Sequence, residues 1–570
     1  MALLVVMVLT MLIALGAYRY SFTMQAEYRV TRIHEEQVQA RLAALSGLEL
    51  AAAILENPLA QRDALGGVDF NPTLFQHVSV SGEPASTQST TQQDSSAEQW
   101  RVSLVAPSVD SDDANGPLTS ATGGADNSDI AQALAGFRFG MENESAKLHV
   151  PTLLKWERQF PGHARAALMR LPQAEAGPVD DWLRGQGVSS TGGLSGESQL
   201  MDRLQSNTSS QDQRASQDWF RLRWLGGDLN QNYQLDSLEL ALAESLRDDA
   251  SAGNSVGASG STAGAGSSSL DASAPAAWQH YLSWASGERN ENTSGQPRVY
   301  LNDDNLLELH RTLLSIWPSE LANFVIAMRQ YGPGQTIHAT GAITPGTNTT
   351  AEAWTPDFSQ PPGYRLASVL DLVDVSVSVP EEANSTASDA GGGSSAASTA
   401  SAIAKKRPLN SPFSSDPTAG SNYNERLLDE STVEMALSLV GRIDIRHAPL
   451  EVLASVPGID QQLAEQIVQQ RSTSLATTNT TTAAPRNSIA WLLTEGLVDL
   501  ARLKRLEPYL TCRSDVYRTQ AVGYRDGISP VYRCTAVIDA RQRPAQITDH
   551  QVWHAWDRGF PVESFMPALR

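Results

Sequence analysis

Cysteine is nearly absent: the chain of 570 residues has two, Cys512 and Cys534. A disulfide scaffold is therefore excluded as the organising principle. Positive charge is also short, with 42 Lys and Arg against 63 Asp and Glu, a formal net charge of -21. Holding a nucleic-acid backbone requires clustered cations that displace counterions, so this balance argues against a DNA or RNA partner. The acidity suits solubility, and it suits divalent cations wherever oxygen ligands converge. Catalytic signatures are missing too. Neither HExxH nor GxSxG occurs, the His residues do not fall at metal-ligand spacing, and the Gly-rich pieces do not lie between a strand and a helix. The chain reads as a non-enzyme. Apolar residues, finally, are scarce over 185–216, 249–274, 381–420 and 472–487, where Ser, Thr, Gly, Ala and Asn dominate. Too little can be buried there to offset ordering entropy, so these stretches read as insertions in surface loops.

What is present begins at the amino terminus. Ala2 to Ala17 is an apolar run broken by Thr10 and followed by Tyr18, Arg19 and Tyr20. At about 1.5 Å per residue it nearly crosses a bilayer's hydrocarbon core. A cleaved signal peptide would carry a basic segment before the run and a small-residue cleavage site after it, and neither is convincing here. From Ala26 to Leu55 there is no Pro, the one Gly is Gly47, and Val38, Leu42, Leu45, Leu48, Ala52 and Leu55 recur at helical spacing. The pattern predicts one helix to about Glu56, stopped by Asn57-Pro58 and roughly 80 Å long, its first third in lipid and its last third on a soluble domain. A signal anchor with an unrelated stalk would share the first part of this pattern. Arg19, Arg29 and Arg32 follow the run with nothing basic before it, which by the positive-inside rule points the large domain to the cytoplasm. A basic leader upstream of the recorded start would reverse that.

Further on, Trp100 to Ala106 and Phe137 to Phe139 read as strands. A basic residue, a short alternating strand and an apolar-faced helix then recur three times: Lys147-Leu-His-Val before Leu153-Leu154, Arg298-Val-Tyr-Leu before Leu306-Leu307, and Arg442-Ile-Asp-Ile before Leu450 to Leu453. Asn302, Asp303 and Asp304 are natural caps for the second helix. In the third copy, a helix ending near Ser455, a Pro457-Gly458 turn and a second helix from about Gln461 resemble a helix-hairpin-helix unit. DNA-binding versions carry a second Gly where this chain has Asp460, whose charge has the wrong sign for phosphate. Strands near Val516 to Tyr524 and Val531 to Asp539, with a turn through Asp526-Gly527, would set Cys534 opposite Thr519 to Ala521. Cys512 is then out of register, and a Cys512–Cys534 bond would need a bent strand.

One stretch carries metal chemistry. Asp228, Asn230, Asn232, Gln234, Asp236 and Glu239 stand at positions 1, 3, 5, 7, 9 and 12 of a twelve-residue loop. That is calcium-loop spacing: side-chain oxygens, a backbone carbonyl from Gln234 and a two-oxygen contact from Glu239 around a hard cation. Tyr233 replaces the usual Gly at position 6, and three carboxylates remain, as in weaker extracellular sites. The spacing fits equally a polar surface loop leading into a helix near Ser237.

The apolar start Met1-Ala2-Leu3-Leu4-Val5, the continuous helix, the acidic loop, the QPRVYLN segment and the hairpin, in this order, resemble the K family of minor pseudopilins of type II secretion. Most pilins carry Glu where this chain has Val5, and the K family typically lacks it. The resemblance implies an α+β fold: a long transmembrane pilin helix on a small antiparallel sheet, with a large inserted helical domain that contains helix-hairpin-helix units and long low-complexity loops. It divides the chain into a membrane and pilin helix (1–57), pilin-like strands and linkers (58–146), an inserted helical domain with the calcium loop (147–335), a flexible linker and low-complexity region (336–435), a helix-hairpin-helix part (436–512) and C-terminal strands (513–570). It further implies a single pass through a bacterial inner membrane with a periplasmic domain, and bound Ca2+ bracing the helical domain. Its partners would be pseudopilins I and J and other subunits of the secretion machinery, with a prepilin peptidase acting if a leader exists. Leu3, Leu4, Val5, Leu9 and Leu12 would lie in the membrane or against partner helices. Two rival readings are a DNA-binding or DNA-uptake membrane protein using Pro457, Gly458 and Asp460, and a calcium-binding anchored surface protein.

Overall fold

The computed structural model describes residues 2–80, 99–108, 136–186, 224, 228, 231–233, 277–334, 354–380, 406–416, 423–476, 486–525, 530–553, 560 and 565. They form two compact units, Met1–Gly287 with Ser514–Arg570, and Glu288–Arg513. The segment from Lys147 to Gly287 thus groups with the amino-terminal helix and the last strands.

Helix α1 runs unbroken over Ala2–Leu55. Among the described residues it is the one helix long and apolar enough to cross a membrane. Its first part touches nothing: Leu3, Leu4, Leu9 and Leu12 are 57–82% exposed, while the side chain of Val5 lies outside the described residues. Burial begins at Ala40 and continues through Ala43, Ala44, Leu48, Ala51, Ala52 and Leu55. Val38 and Leu42, which the apolar spacing places on the packed face, are instead exposed by 42% and 51%. Size decides the face. A stripe of Ala and Gly brings the helix backbone closer to its partner than larger aliphatics allow.

That partner is an antiparallel sheet of seven strands: β1 (Val78–Ser79), β2 (Trp100–Pro107), β3 (Phe137–Phe139), β4 (Glu142–Asn143), β5 (Val516–Arg525), β6 (Tyr532–Asp539) and β7 (Gln546–Trp553). Their order is β1-β2-β5-β6-β7, with β3 on β2 and β4 on β5. In β5 successive side chains alternate between faces, so Gly523 and Ala521 look one way and Arg518 and Gln520 the other. The first face meets α1. A Cβ on Gly523 would lie 2.1 Å from the Ala40 carbonyl oxygen and 2.7 Å from the Ala44 nitrogen, and one on Gly47 would lie 2.4 Å from Val102 Cγ2. Cys534 sits opposite Ala521, as the hairpin reading expects. The disulfide does not form: Cys512 and Cys534 are both free and buried, and burial pushes the Cys534 thiol up to about 12.

The recurring sequence pattern corresponds to a recurring local structure. Leu148–His149 pairs in parallel with Leu282–Ser283, Val299–Tyr300 with Ser431–Thr432, and Ile443–Asp444 with Leu510–Thr511. Each first strand leads into a helix, Val150–Gln159, Leu306–Ile316 and Leu450–Leu453 respectively. Each preceding base faces a buried glutamate: Lys147 lies 2.6 Å from Glu144, Arg298 3.9 Å from Glu288 and Arg442 3.3 Å from Glu507. The first copy belongs to the first unit and the other two to the second. The cap of the second helix is Asn305, whose Oδ1 accepts from the Glu308 N–H at 3.2 Å, and not Asn302, Asp303 or Asp304. Asn302 is turned inward, where its amide makes two 2.9 Å bonds with the backbone of Leu366.

Substituting Gly523 by Ala should cost about 1–3 kcal/mol or more, because the added methyl must push the α1 backbone off the sheet. Gly16→Ala, with nothing within 4 Å of the new methyl, should leave stability unchanged. Thermal unfolding of the full chain in detergent distinguishes them; equal melting temperatures would contradict this packing.

Candidate metal loop and the charges behind it

Of the six proposed ligands, Asp228 and Asn232 are described; Asn230, Gln234, Asp236 and Glu239 lie outside the described residues, as does the helix expected from Ser237. Asp228 is 1% exposed. Its Oδ1 accepts from the Asn232 N–H at 3.2 Å and its Oδ2 from the Tyr233 N–H at 2.8 Å, so the chain closes into a tight turn around the carboxylate. A carboxylate offers oxygen ligands of the kind a hard cation takes. Among the described residues no three His, Cys, Asp or Glu gather at metal-binding distance.

The turn is left-handed at two residues that are not Gly, Gln231 (φ 54°) and Tyr233 (φ 64°). Position 6 therefore bends as sharply as the loop pattern requires, with Tyr in place of Gly, at a cost of about 1–2 kcal/mol. Tyr233 gains a compensating contact. Its ring is buried in the sheet's apolar core, 6.2 Å from the ring of Phe560, and burying an aromatic ring contributes about 1.5–3 kcal/mol. Burial, reinforced by the Glu142 and Asp228 carboxylates, pushes the phenol well above its ordinary value, so it stays neutral. Gln231 is held as firmly. Its carbonyl oxygen accepts from Gln520 Nε2 at 3.0 Å and Arg533 Nη1 at 3.4 Å, its amide donates to the Asp228 carbonyl at 2.8 Å, and its Oε1 accepts from Gln279 at 3.3 Å. Gln520 and Arg533 project from the face of the sheet opposite α1.

Comparison with protein-family models, curated proteins and solved structures found no match. The site is therefore read from its own geometry.

On the same far face lies a cluster of buried charges. Lys147 Nζ stands 2.9 Å from Glu142 and 2.6 Å from Glu144, Arg518 Nε 2.9 Å from Glu144, and His280 Nδ1 3.0 Å from Glu142. Ser283 Oγ also donates to Glu144. Burial opposes ionisation of both glutamates, but Lys147, His280 and Arg518 outweigh it at Glu142, and Arg518 and Lys147 do so at Glu144. Both carboxyls are held below their usual range. Two carboxylates, Glu142 and Glu144, face the Lys147 ammonium and the Arg518 guanidinium in this cluster. Nothing in the sequence pattern singled out Tyr233 as an anchor in the core or Gln279, Gln520 and Arg533 as the partners of Gln231. A usable signal was the run Glu142-Asn-Glu-Ser-Ala-Lys147, three charges packed between two strands.

The hairpin residues lie in the other unit. Gly458 has φ 89°, as the turn demands. Asp460 Oδ1 caps the helix Gln461–Ala476 by accepting from the Leu463 N–H at 2.8 Å, while its Oδ2 meets Arg502 at 3.0 Å. Arg502 also donates to the Gly458 carbonyl at 3.1 Å. A second such turn joins helices Trp491–Thr494 and Leu500–Leu506 through Gly496 (φ 72°) and the capping residue Asp499.

Two outcomes follow. Removing Lys147 (Lys147→Met) leaves buried carboxylates without their shared cation and should cost about 3–5 kcal/mol in denaturant unfolding; a loss below 1 kcal/mol would contradict the cluster. His149 sets an acid limit. Burial depresses its imidazole to about 4, and it sits between Thr152 Oγ1 at 2.8 Å and the Trp284 carbonyl at 3.2 Å. The unfolded chain binds its proton near pH 6.5 and the folded chain only near 4, so this contribution to stability is complete above 6.5 and is lost as pH falls through that window. Melting temperature should drop between pH 6.5 and 4, and His149→Gln should flatten the slope.

Proposed function

We propose that this chain is a minor pseudopilin of the K kind, an assembly component placed at the tip of a type II secretion pseudopilus. The observation that carries the reading is α1: one helix whose first part is apolar and fully exposed, and whose last third packs closely on an antiparallel sheet through Ala and Gly. In this reading the exposed segment around Leu3, Leu4, Val5, Leu9 and Leu12 lies in the inner membrane and against partner helices, the folded units are periplasmic, and pseudopilins I and J are the neighbours. A prepilin peptidase would act on any leader. The helical elements built on Pro457-Gly458 and Gly496 would be the helix-hairpin-helix part of the inserted domain, and Ca2+ in the loop beginning at Asp228 would brace the first unit. Asp460 supports a structural hairpin over a nucleic-acid clamp: it already caps its own helix and engages Arg502, where a phosphate would need free N–H groups and positive potential.

The test is co-purification of the full chain with pseudopilins I and J from detergent-solubilised membranes. Retention of both through a second affinity step is expected. Recovery of the chain without either, or DNA retention that weakens steeply with salt, would overturn the assignment.

A further inference from the structure

Within the second unit, the second and third copies of the recurring motif meet at one carboxylate. Arg298, just before the strand Val299–Tyr300, and Arg442, just before Ile443–Asp444, both reach toward Glu288, whose Oε1 stands 3.9 Å from Nη1 of each. That is beyond the reach of a hydrogen bond. The other oxygen, Oε2, accepts from the Thr511 hydroxyl at 2.8 Å. These four side chains, with Ser431 and Glu507, line a cavity of about 40 Å³. The charges around it are matched in number: Arg442 meets Glu507 at 3.3 Å and Arg513 meets Asp429, which leaves Arg298 to Glu288. The hydrogen bonds are not matched. Arg298, its side chain 8% exposed, donates through Nε to the Asp429 carbonyl at 3.1 Å, while Nη1 and Nη2 find no acceptor among the described residues. Ser431 is 2% exposed, and its Oγ has no partner among the described residues either. Buried polar groups are ordinarily hydrogen-bonded, so unmet ones gathered on one cavity wall mark a place for a polar ligand. Burial, with Arg513 and Arg442 beside it and against the pull of Glu288, lowers the Arg298 guanidinium to about 10, an environment that gains from a negative ligand.

Glu288 restricts what that ligand can be. A bare anion would set a negative oxygen against Oε1, whereas an oxyanion that still carries a proton can donate to Oε1 and accept from the guanidiniums at once. The volume is well above the about 10–15 Å³ that one water needs, so a small oxyanion can enter in place of roughly three waters. We infer that this cavity is a binding site for inorganic phosphate, with Arg298, Arg442 and Ser431 donating to its oxygens and Glu288 accepting from its P–OH. The site belongs to the second unit alone and does not depend on the pseudopilin assignment or on calcium.

The measurement is calorimetric titration of the full chain in nanodiscs, in phosphate-free buffer at pH 7, with sodium phosphate and separately with sodium sulfate, which is fully ionised and has acceptors only. Phosphate should bind at least about tenfold more tightly than sulfate. Glu288→Gln puts an amide NH2 toward the cavity while Thr511 keeps the oxygen, so phosphate should weaken about tenfold and sulfate gain about tenfold. A cavity that gathers anions by charge alone would gain for both, and that result overturns the inference. Ser431→Ala removes a hydroxyl that bonds to nothing else among the described residues, so the fold should survive, and phosphate should weaken about three- to tenfold. This variant carries the test if Glu288→Gln does not fold. No phosphate isotherm with the wild type, sulfate binding as tightly as phosphate, or unchanged phosphate affinity in Ser431→Ala each overturns the site.

Discussion

The close approach of α1 to the sheet is the constraint on which the first unit depends. At Gly523 a strand backbone lies so near the helix backbone at Ala40 and Ala44 that no side chain fits between them, and at Gly47 the helix makes the same demand on Val102. Packing at this range fixes the helix's rotation about its axis, because turning it brings Val38 or Leu42 against Gly523, where no side chain fits. A fixed rotation also determines which residues of the exposed segment face a given direction some tens of ångströms away. A rod anchored this way carries orientation from the folded unit along its own length.

With one face of the sheet committed to α1, the other collects the polar chemistry. Arg518, Gln520 and Arg533 point there, and each is buried against groups supplied from elsewhere in the chain: Glu144, the Gln231 carbonyl and the ring of Phe560. Buried charge is tolerated in such a place only when every ion finds a counter-ion or hydrogen bond. The Glu142–Lys147–Glu144–Arg518 cluster meets this condition, and it ties Lys147, the first copy of the recurring motif, to the central strand β5. The helical additions of this unit are thus fastened to the sheet by electrostatics, whereas α1 is fastened by shape.

Much of the architecture was legible in the sequence because periodicity reports elements directly. The extent of α1, the strands β2, β3, β5 and β6, the register of Cys534 against Ala521 and the helix beginning at Gln461 all follow from local pattern. What local pattern misreads is the identity of the partner. The apolar spacing nominated Val38 and Leu42 for burial, yet small residues won because the opposing surface is backbone. Asp303 and Asp304 are better caps than Asn305 by charge, but the helix starts one residue later, after Asn302 has turned inward to Leu366. Of the candidate loop, the spacing of oxygen ligands was visible and its attachment was not. Tyr233 looks like a defect in a calcium loop until the ring is seen in the core, because its value depends on Phe560, more than three hundred residues away in the chain.

The account stands on α1 being one rigid helix from its apolar start to the sheet. Spin labels at Ala17 and Ser46, both exposed and 29 residues apart, in a chain whose buried Cys512 and Cys534 are replaced by Ala, would report this directly in nanodiscs by pulsed dipolar spectroscopy. A continuous helix predicts a narrow distribution centred at about 44 Å, from a rise of about 1.5 Å per residue. A broad distribution, or one centred well below that distance, would contradict a rigid helix between the apolar start and the sheet.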